Sequence, residues 1–172
     1  MSEYLVDIKN ERLSFFTPAG EVKALNDVSI HLREGEVLGI VGESGSGKSV
    51  TAYSLMGLTA YPGKLIGGSL YFNGHQVEEM TDKEMRKIRG NEISIIFQDP
   101  MTSLNPVYTI GNQIMEAVLL HTDKTKAQAR DRAKELLELV GINEPEKRLK
   151  QYPHGLSGGM RQRVMIAIAL AC

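Results

Sequence analysis

The stretch that decides the fold is VLGIVGESGSGKS, residues 37–49. Residues 37–41 form a continuous apolar run, which is typical of a strand buried on both faces of a parallel sheet. Residues 42–49 have the pattern G-x-x-x-x-G-K-S, in which glycines let backbone N–H groups turn toward phosphate oxygens. A glycine-rich turn that only connects two elements is disfavoured, because a Lys-Ser pair follows the glycines and a buried strand precedes them. The sequence therefore predicts a nucleoside triphosphate site.

The predicted phosphate loop gives its side chains separate roles. Lys48 is expected to reach the β and γ phosphates, and the Ser49 hydroxyl is expected to bind Mg²⁺. The helix that follows adds the positive end of its dipole. The residues expected to contact the nucleotide are Gly42, Glu43, Ser44, Gly45, Ser46, Gly47, Lys48 and Ser49.

The rest of the chain predicts strands first and helices later. Strands are predicted at residues 5–8, 13–16, 24–32 and 69–72, with a second buried strand at residues 93–97. Helices are expected from about residue 110 onward. One apolar stripe at helical spacing consists of Ala133, Leu136, Leu137 and Val140, and Gly141 supplies its stop.

Composition excludes several classes of protein. The 172 residues are 42% hydrophobic and 24% charged, as in a globular protein with a core. A net charge of −1 does not indicate the basic surface that is typical of nucleic-acid-binding proteins. The sequence shows no signal peptide and no apolar run near the roughly 20 residues that a bilayer span requires. Cys172 is the one cysteine, and the four histidines share no metal-ligand spacing.

Residues 156–162, LSGGMRQ, have two interpretations that can hold together. Ser157 suits the N-cap of a helix, and the first N–H groups of the helix from Met160 would form an anion site. The stretch also resembles the signature motif of the ATP-binding cassette family. That resemblance implies that Ser157, Gly158 and Gly159 bind the γ-phosphate held by the phosphate loop of a second subunit.

Residues 97–106, FQDPMTSLNP, begin with a glutamine directly after a predicted strand. By themselves they would be a proline-rich surface loop. Their position between the phosphate loop and the signature favours the family's Q-loop instead. The resemblance then implies that Gln98 contacts the metal or the attacking water and that its loop transmits nucleotide state to a membrane subunit.

The whole chain resembles the ATPase subunits of oligopeptide and dipeptide importers. FQDPMTSLNP, FFTPAG at residues 15–20 and GIVGESGSGKS at residues 39–49 carry this resemblance. It implies an α/β fold with a P-loop NTPase core of the ABC ATPase type, an N-terminal antiparallel β subdomain and a helical subdomain. The expected divisions are a nucleotide-binding core at residues 1–97, a Q-loop and helical subdomain at 98–155, and the signature with the start of its helix at 156–172.

An aromatic ring that stacks on adenine is a further expectation from the resemblance. Family members supply it from a loop after an early strand, where Phe15 is the first choice and Phe16 the second. A phenylalanine in a strand belongs more often to the core, so the two interpretations are evenly balanced. Stacking would contribute roughly 0.5–1.5 kcal/mol.

The chain departs from the family after the signature helix. A cassette continues into an apolar strand that ends in Asp-Glu and later carries a histidine that senses the γ-phosphate, and this sequence contains neither. We therefore expect the front portion of an importer ATPase, lacking its C-terminal part, that binds ATP and Mg²⁺ without hydrolysing ATP. The alternatives are a non-hydrolysing nucleotide- or partner-binding module, and an importer ATPase that serves nickel or another small solute. A DNA-repair or translation ATPase is disfavoured by the neutral charge.

The resemblance also implies partners for the intact parent. These are transmembrane permease subunits, contacted through the Q-loop and helical subdomain, and a second ATPase subunit, identical or different. An extracytoplasmic solute-binding protein would take part indirectly, and no nucleic acid is expected. The expected location is peripheral, at the cytoplasmic face of the cell membrane.

Overall fold

The computed structural model describes residues 3–99 and 103–172. The chain divides into two compact units, the first ending at Met85 and the second beginning at Arg86. No helix within the described ranges combines the length and apolarity needed to cross a bilayer.

The first unit is built on an antiparallel sheet. Its strands are β1 (Val6–Thr17), β2 (Gly20–Leu32), β3 (Gly63–Phe72) and β4 (His75–Gln76), in the order β2-β1-β3-β4. β1 is therefore central, and its apolar side chains Val6, Ile8 and Leu13 are buried. A short 3₁₀ turn, Val77–Glu79, follows β4.

β1 is one strand where the sequence predicted two. Residues 9–12 were expected to separate strands at 5–8 and 13–16, but β1 passes through them with irregular register against β2 and β3. Asn10 has a positive φ of 50°, as in a bulge that keeps the strand running while re-aiming its side chains. Gly68 on β3 accommodates the bulge, because a Cβ at Gly68 would lie 2.5 Å from the carbonyl oxygens of Lys9 and Asn10.

The prediction of buried strands at residues 37–41 and 93–97 is wrong for this structure. Neither segment is a strand, and Val37 and Val41 are 98% and 94% exposed. In the second segment, Ile93 makes one isolated bridge to Arg89, and Ile96 is 50% exposed. An apolar run becomes a strand only where a neighbouring strand binds its backbone N–H and C=O groups. Within the described residues no such strand adjoins either segment, so the sheet is the antiparallel one alone.

Helix α1 (Lys48–Leu55) directly follows the phosphate loop and packs against β2 and β3. Thr51 and Ser54 are its buried residues. α1 therefore rests on the sheet through small hydroxyl side chains. The sheet therefore sets the position of the phosphate loop at the start of α1.

The second unit is helical. α2 (Asp82–Ile88) spans the division between the units, and α3 (Ile110–His121), α4 (Lys126–Leu139), α5 (Pro145–Arg148) and α6 (Gly158–Ala169) follow, with a 3₁₀ turn at Pro153–Gly155. Thr109 caps α3 by accepting from Asn112 N, and Thr125 forms a capping box with Gln128 on α4.

The predicted apolar stripe of α4 is confirmed. Ala133, Leu136 and Leu137 are fully buried, and Val140 packs against the same core. Gly141, with φ of +72°, ends the helix as predicted. α3 and α6 complete the core with Ile110, Ile114, Val118, Val164 and Met165. Each such buried aliphatic side chain contributes about 1.5–3 kcal/mol relative to an exposed one.

Candidate nucleotide-binding site

The phosphate loop is curled around the ammonium group of Lys48. Lys48 Nζ donates to the carbonyl oxygens of Gly42 at 2.8 Å and Glu43 at 2.7 Å, and lies 3.2 Å from Ser46 Oγ. These contacts draw the start of the loop back over the first residue of α1. The Lys48 side chain is thereby held at the concave side of the loop, where a phosphate would need a positive charge.

Glycines permit the close approaches in this loop. Gly47 is the N-cap of α1 with φ of 93°, and a Cβ there would lie 2.6 Å from Leu25 Cδ2 and 3.0 Å from the carbonyl oxygen of Ala24. A Cβ on Gly42 would lie 2.7 Å from Ser46 Oγ. Gly47 O also accepts from Thr51 N at 2.9 Å and Thr51 Oγ1 at 3.2 Å. The loop is therefore seated on β2 at a position where only glycine fits.

The start of α1 suits an anion. The first N–H groups of a helix have no partner within that helix, and the helix dipole makes this end positive. The first turn of α1 has no acidic residue to oppose the dipole, and Ser49 in that turn is exposed. Its hydroxyl is an oxygen ligand of the kind that Mg²⁺ accepts beside phosphate oxygens. Among the described residues no cluster of three His, Cys, Asp or Glu could hold a metal by itself.

Gln98 lies in the second unit, in an exposed bend after residues 93–97. Ser103 Oγ donates to the carbonyl oxygen of Asp99 at 2.7 Å. Pro100, Met101 and Thr102, in the middle of the predicted Q-loop, lie outside the described residues. The role of Gln98 therefore stays a prediction.

The two aromatic candidates differ in their surroundings. Phe15 is half-buried, and a Cβ on Gly63 would lie 2.9 Å from its ring. Phe16 is 45% exposed, with Lys64 Nζ 5.9 Å from its ring centroid. Phe15 is thus engaged by its neighbouring strand, while Phe16 presents more surface. The choice between the rings stays a prediction.

Ser157 is the N-cap of α6, and its Oγ accepts from Met160 N at 3.3 Å. The helix begins at Gly158, two residues before the start indicated by the sequence. Ser157, Gly158 and Gly159 are exposed, and a Cβ on either glycine would meet no atom of the described residues within 4 Å. Steric crowding by these described residues therefore does not explain the glycines, which leave the N-terminal end of α6 open.

Two features of the site were missed in the sequence. Arg161 fixes the backbone before the signature, because its Nε donates to the carbonyl oxygens of Pro153 at 2.8 Å and Leu156 at 3.1 Å. Leu25 packs against Gly47. An arginine four residues after a predicted N-cap was a usable signal for the contacts of Arg161. The contact of Leu25 with Gly47 depends on how β2 packs against the loop, which no local pattern encodes.

An open groove of about 560 Å³ lies on the second unit beside α3. Its lining includes Tyr108, Met115, Leu119 and Leu120, and Tyr108 and Leu120 are 53% and 71% exposed. Glu116 and Lys126 add charged groups to its lining. Exposed apolar side chains gathered in one groove are typical of a protein-binding surface.

Comparison with known proteins identifies close relatives over nearly the whole chain. The oligopeptide transport ATP-binding protein OppD of Escherichia coli K12 is 53% identical over 171 residues, which are 99% of this chain and 50% of that protein. The dipeptide transport ATP-binding protein DppD of the same strain is 49% identical over 168 residues, 98% of this chain and 51% of that protein. AppD of Bacillus subtilis 168, an oligopeptide transport ATP-binding protein, is 50% identical over 169 residues, 98% of this chain and 52% of that protein. The chain spans about half the length of these relatives.

Solved structures give the same assignment. The dimeric ATP-binding cassette MJ0796, in a post-hydrolysis state bound to ADP and Pi, matches with a TM-score of 0.86 at 30% identity. The match covers 96% of this chain and 69% of that one. The fold class predicted from the sequence, an ABC ATPase core with an antiparallel β subdomain and a helical subdomain, is confirmed at this level. The family described as "ABC transporter" matches residues 25–172, and this chain belongs to it.

Proposed function

We propose that the chain binds ATP with Mg²⁺ through residues 42–49 and forms the nucleotide-binding half of an ABC importer ATPase. The observation that carries the proposal is the loop curled on Lys48 at the N-terminal end of α1. Lys48 pairs with the β and γ phosphates, loop N–H groups surround them, and Ser49 binds the metal. When bound, Mg²⁺ neutralises phosphate charge. Gln98 contacts the metal or the attacking water, and Phe15, or else Phe16, stacks on adenine.

Peptide uptake is the transport function that the relatives favour. OppD, DppD and AppD are ATP-binding proteins of oligopeptide or dipeptide transport, at 49–53% identity. We propose that the intact subunit couples ATP binding and hydrolysis to peptide import. An importer of nickel or another small solute is the second candidate.

The proposed partners are permease subunits and a second ATPase subunit. The groove beside α3, with exposed Tyr108 and Leu120, belongs to the region after Gln98 that we assign to the permease contact. The open N-terminal end of α6 would face the phosphate loop of the second subunit. A solute-binding protein would act through the permease. These contacts would hold the subunit peripherally at the cytoplasmic face of the membrane.

Replacing Lys48 with alanine tests the phosphate loop. The substitution removes a charge-assisted contact worth about 1.5–3 kcal/mol, so we expect MgATP affinity to fall about ten-fold to a hundred-fold. Equilibrium titration of the 172-residue chain measures this. Lys23→Ala is the matched control, because Lys23 is exposed on β2 and carries the same charge. Equal affinity of Lys48→Ala and the unmodified chain would refute the phosphate-loop assignment.

Replacing Ser157 with arginine tests the assignment of the signature to a second subunit's phosphate. In the full-length subunit we expect unchanged ATP affinity of the monomer but loss of ATP-driven dimerisation, because a bulky side chain would fill the open end of α6. Titration and sedimentation measure the two properties. Ala127→Arg, which adds the same charge at an exposed position on α4, serves as control. Loss of monomer binding would contradict the assignment.

A further inference from the structure

We propose that Arg161 is the positioning residue of the signature loop, holding residues 153–157 in the geometry that presents Ser157 to phosphate. This inference rests on the proposed function for the phosphate, but its structural part stands independently on the contacts of Arg161. Arg161 lies one turn into α6, and its backbone N donates to the carbonyl oxygen of Ser157 at 3.0 Å. Its guanidinium turns back to the residues before the helix.

The guanidinium fixes two carbonyl groups that the helix leaves outside its own ladder. Arg161 Nε donates to Pro153 O at 2.8 Å and to Leu156 O at 3.1 Å, and the group is partly buried. Pro153 and Leu156 are themselves buried, and buried carbonyl groups need donors from the protein. Pro153 O also accepts from Leu156 N at 3.1 Å, so Arg161 adds a second donor there and supplies one to Leu156 O. A charged donor makes a stronger hydrogen bond than a neutral one.

The contact with Leu156 O determines the direction of Ser157. Leu156 O and Ser157 N belong to the same planar peptide group, so a hydrogen bond that holds this oxygen also fixes the orientation of the peptide plane that precedes Ser157. Ser157 then has φ of −66° and ψ of 161°, with its Oγ 3.3 Å from Met160 N. Since Gly155, Gly158 and Gly159 have no side chains to brace this segment, Arg161 supplies the restraint from the following turn.

Arg163 offers a matched control on the same helix. Its Nη1 also donates to backbone carbonyl groups, those of Val140 at 3.3 Å and Gly141 at 2.7 Å, where it fixes the end of α4. Arg161→Met and Arg163→Met each remove one guanidinium and keep an aliphatic stem. They remove the same charge and the same kind of contact from different segments.

Hydrogen exchange of the 172-residue chain tests the proposal. In Arg161→Met we expect exchange at the amides of Gly155, Leu156 and Met160 to accelerate about ten-fold or more, as expected for loss of charge-assisted hydrogen bonds. In Arg163→Met the acceleration should fall at residues 140–142 instead. Arg161→Lys, which retains a charged donor, should restore part of the protection. Unchanged exchange at residues 155–160 in Arg161→Met would overturn the proposal.

A second measurement separates positioning from general stability. In the full-length subunit, Arg161→Met should leave MgATP affinity of the monomer unchanged while weakening ATP-driven dimerisation about ten-fold, and Arg163→Met should change neither property. Equal losses in both variants would show a merely structural role and overturn the proposal. If Arg161→Met accelerates exchange in the loop but Ser157→Arg leaves dimerisation intact, the positioning role stands and the assignment of the signature to phosphate fails.

Discussion

Replacing Glu11 with leucine is expected to stabilise the protein at pH 7 by about 1–3 kcal/mol, the usual cost of a buried polar group without a partner. Glu11 lies on β1, its side chain is fully buried, and neither carboxylate oxygen has a hydrogen-bond partner among the described residues. The nearby Ser54 hydroxyl donates to Thr51 O at 2.8 Å, so its proton is committed to α1. Leucine has a similar reach and leaves no polar atom unsatisfied.

The same residue should make stability depend on pH. Burial raises the pKa of Glu11 above its ordinary value of 4.5, a contact with Ser54 lowers it, and the charge of Glu78 adds to the increase. The folded protein therefore holds this proton more tightly than the unfolded chain does. The contribution of the Glu11 carboxyl to the free energy of unfolding is therefore greatest below pH 4.5, and it is lost as the pH rises from there through the native pKa of Glu11.

Urea unfolding between pH 4 and 8 measures both effects. In Glu11→Leu and Glu11→Gln, the fall in stability as the pH rises from 4.5 through the native pKa of Glu11 should disappear, because neither new side chain titrates. Glu21→Leu is the control, since Glu21 is exposed on the neighbouring strand β2 and its replacement should change stability by less than about 0.5 kcal/mol. A Glu11→Leu protein less stable than the unmodified one at pH 7 would show that the carboxyl makes a favourable interaction.

Glu11 illustrates why part of this fold was inaccessible to sequence reasoning. A glutamate in residues 9–12, between two apolar stretches, is typical of an exposed connection. The bulge at Asn10 and the space provided by Gly68 instead keep β1 continuous and bury the side chain. Register irregularities depend on partner strands distant in sequence, so the local pattern of residues does not reveal them.

Elements with a complete local signal were predicted well. The predicted stripe of α4 and its Gly141 stop both reappear in the structure, which adds a Thr125 cap that the sequence analysis did not predict. Residues 37–41 show the opposite case, because hydrophobicity indicates a tendency to be buried but not the presence of a pairing strand. The candidate site shows the same difference between local patterns and packing. Residues 42–49 and Ser157 have local motifs, whereas the contact of Gly47 with Leu25 depends on packing between the loop and β2.

The 172-residue chain should bind MgATP but release phosphate no faster than its Lys48→Ala variant. Phosphoryl transfer to water needs neutralised phosphate charge and a positioned water that loses a proton. In the proposed site the loop would supply the first through Lys48 and the backbone N–H groups. Without a general base the rate would fall about a hundred-fold to ten-thousand-fold. An amide such as that of Gln98 does not accept a proton at neutral pH, so it cannot replace the base.

The positions of the nearby carboxyl groups support this expectation. Glu11 has the raised pKa of a potential base, but its side chain is fully buried near Ser54. Ser54 lies on α1, six residues after Lys48. At 1.5 Å per residue this places Ser54 about 9 Å from the phosphate end of the helix. Glu43 lies in the loop, where its carbonyl oxygen accepts from Lys48, and its side chain is exposed to water.

Phosphate release, measured across pH 6 to 9 after removal of contaminating ATPases, tests whether the 172-residue chain hydrolyses ATP. The unmodified chain and Lys48→Ala should give the same rate, while titration shows that only the unmodified chain binds MgATP tightly. Turnover well above the Lys48→Ala rate would reveal an acidic residue acting as base. Glu43→Gln and Asp99→Asn would then identify it, because these carboxyl groups are nearest in sequence to the phosphate loop and to Gln98. Since each substitution keeps the shape of its side chain, a loss of turnover would report the missing proton acceptor and not a displaced loop.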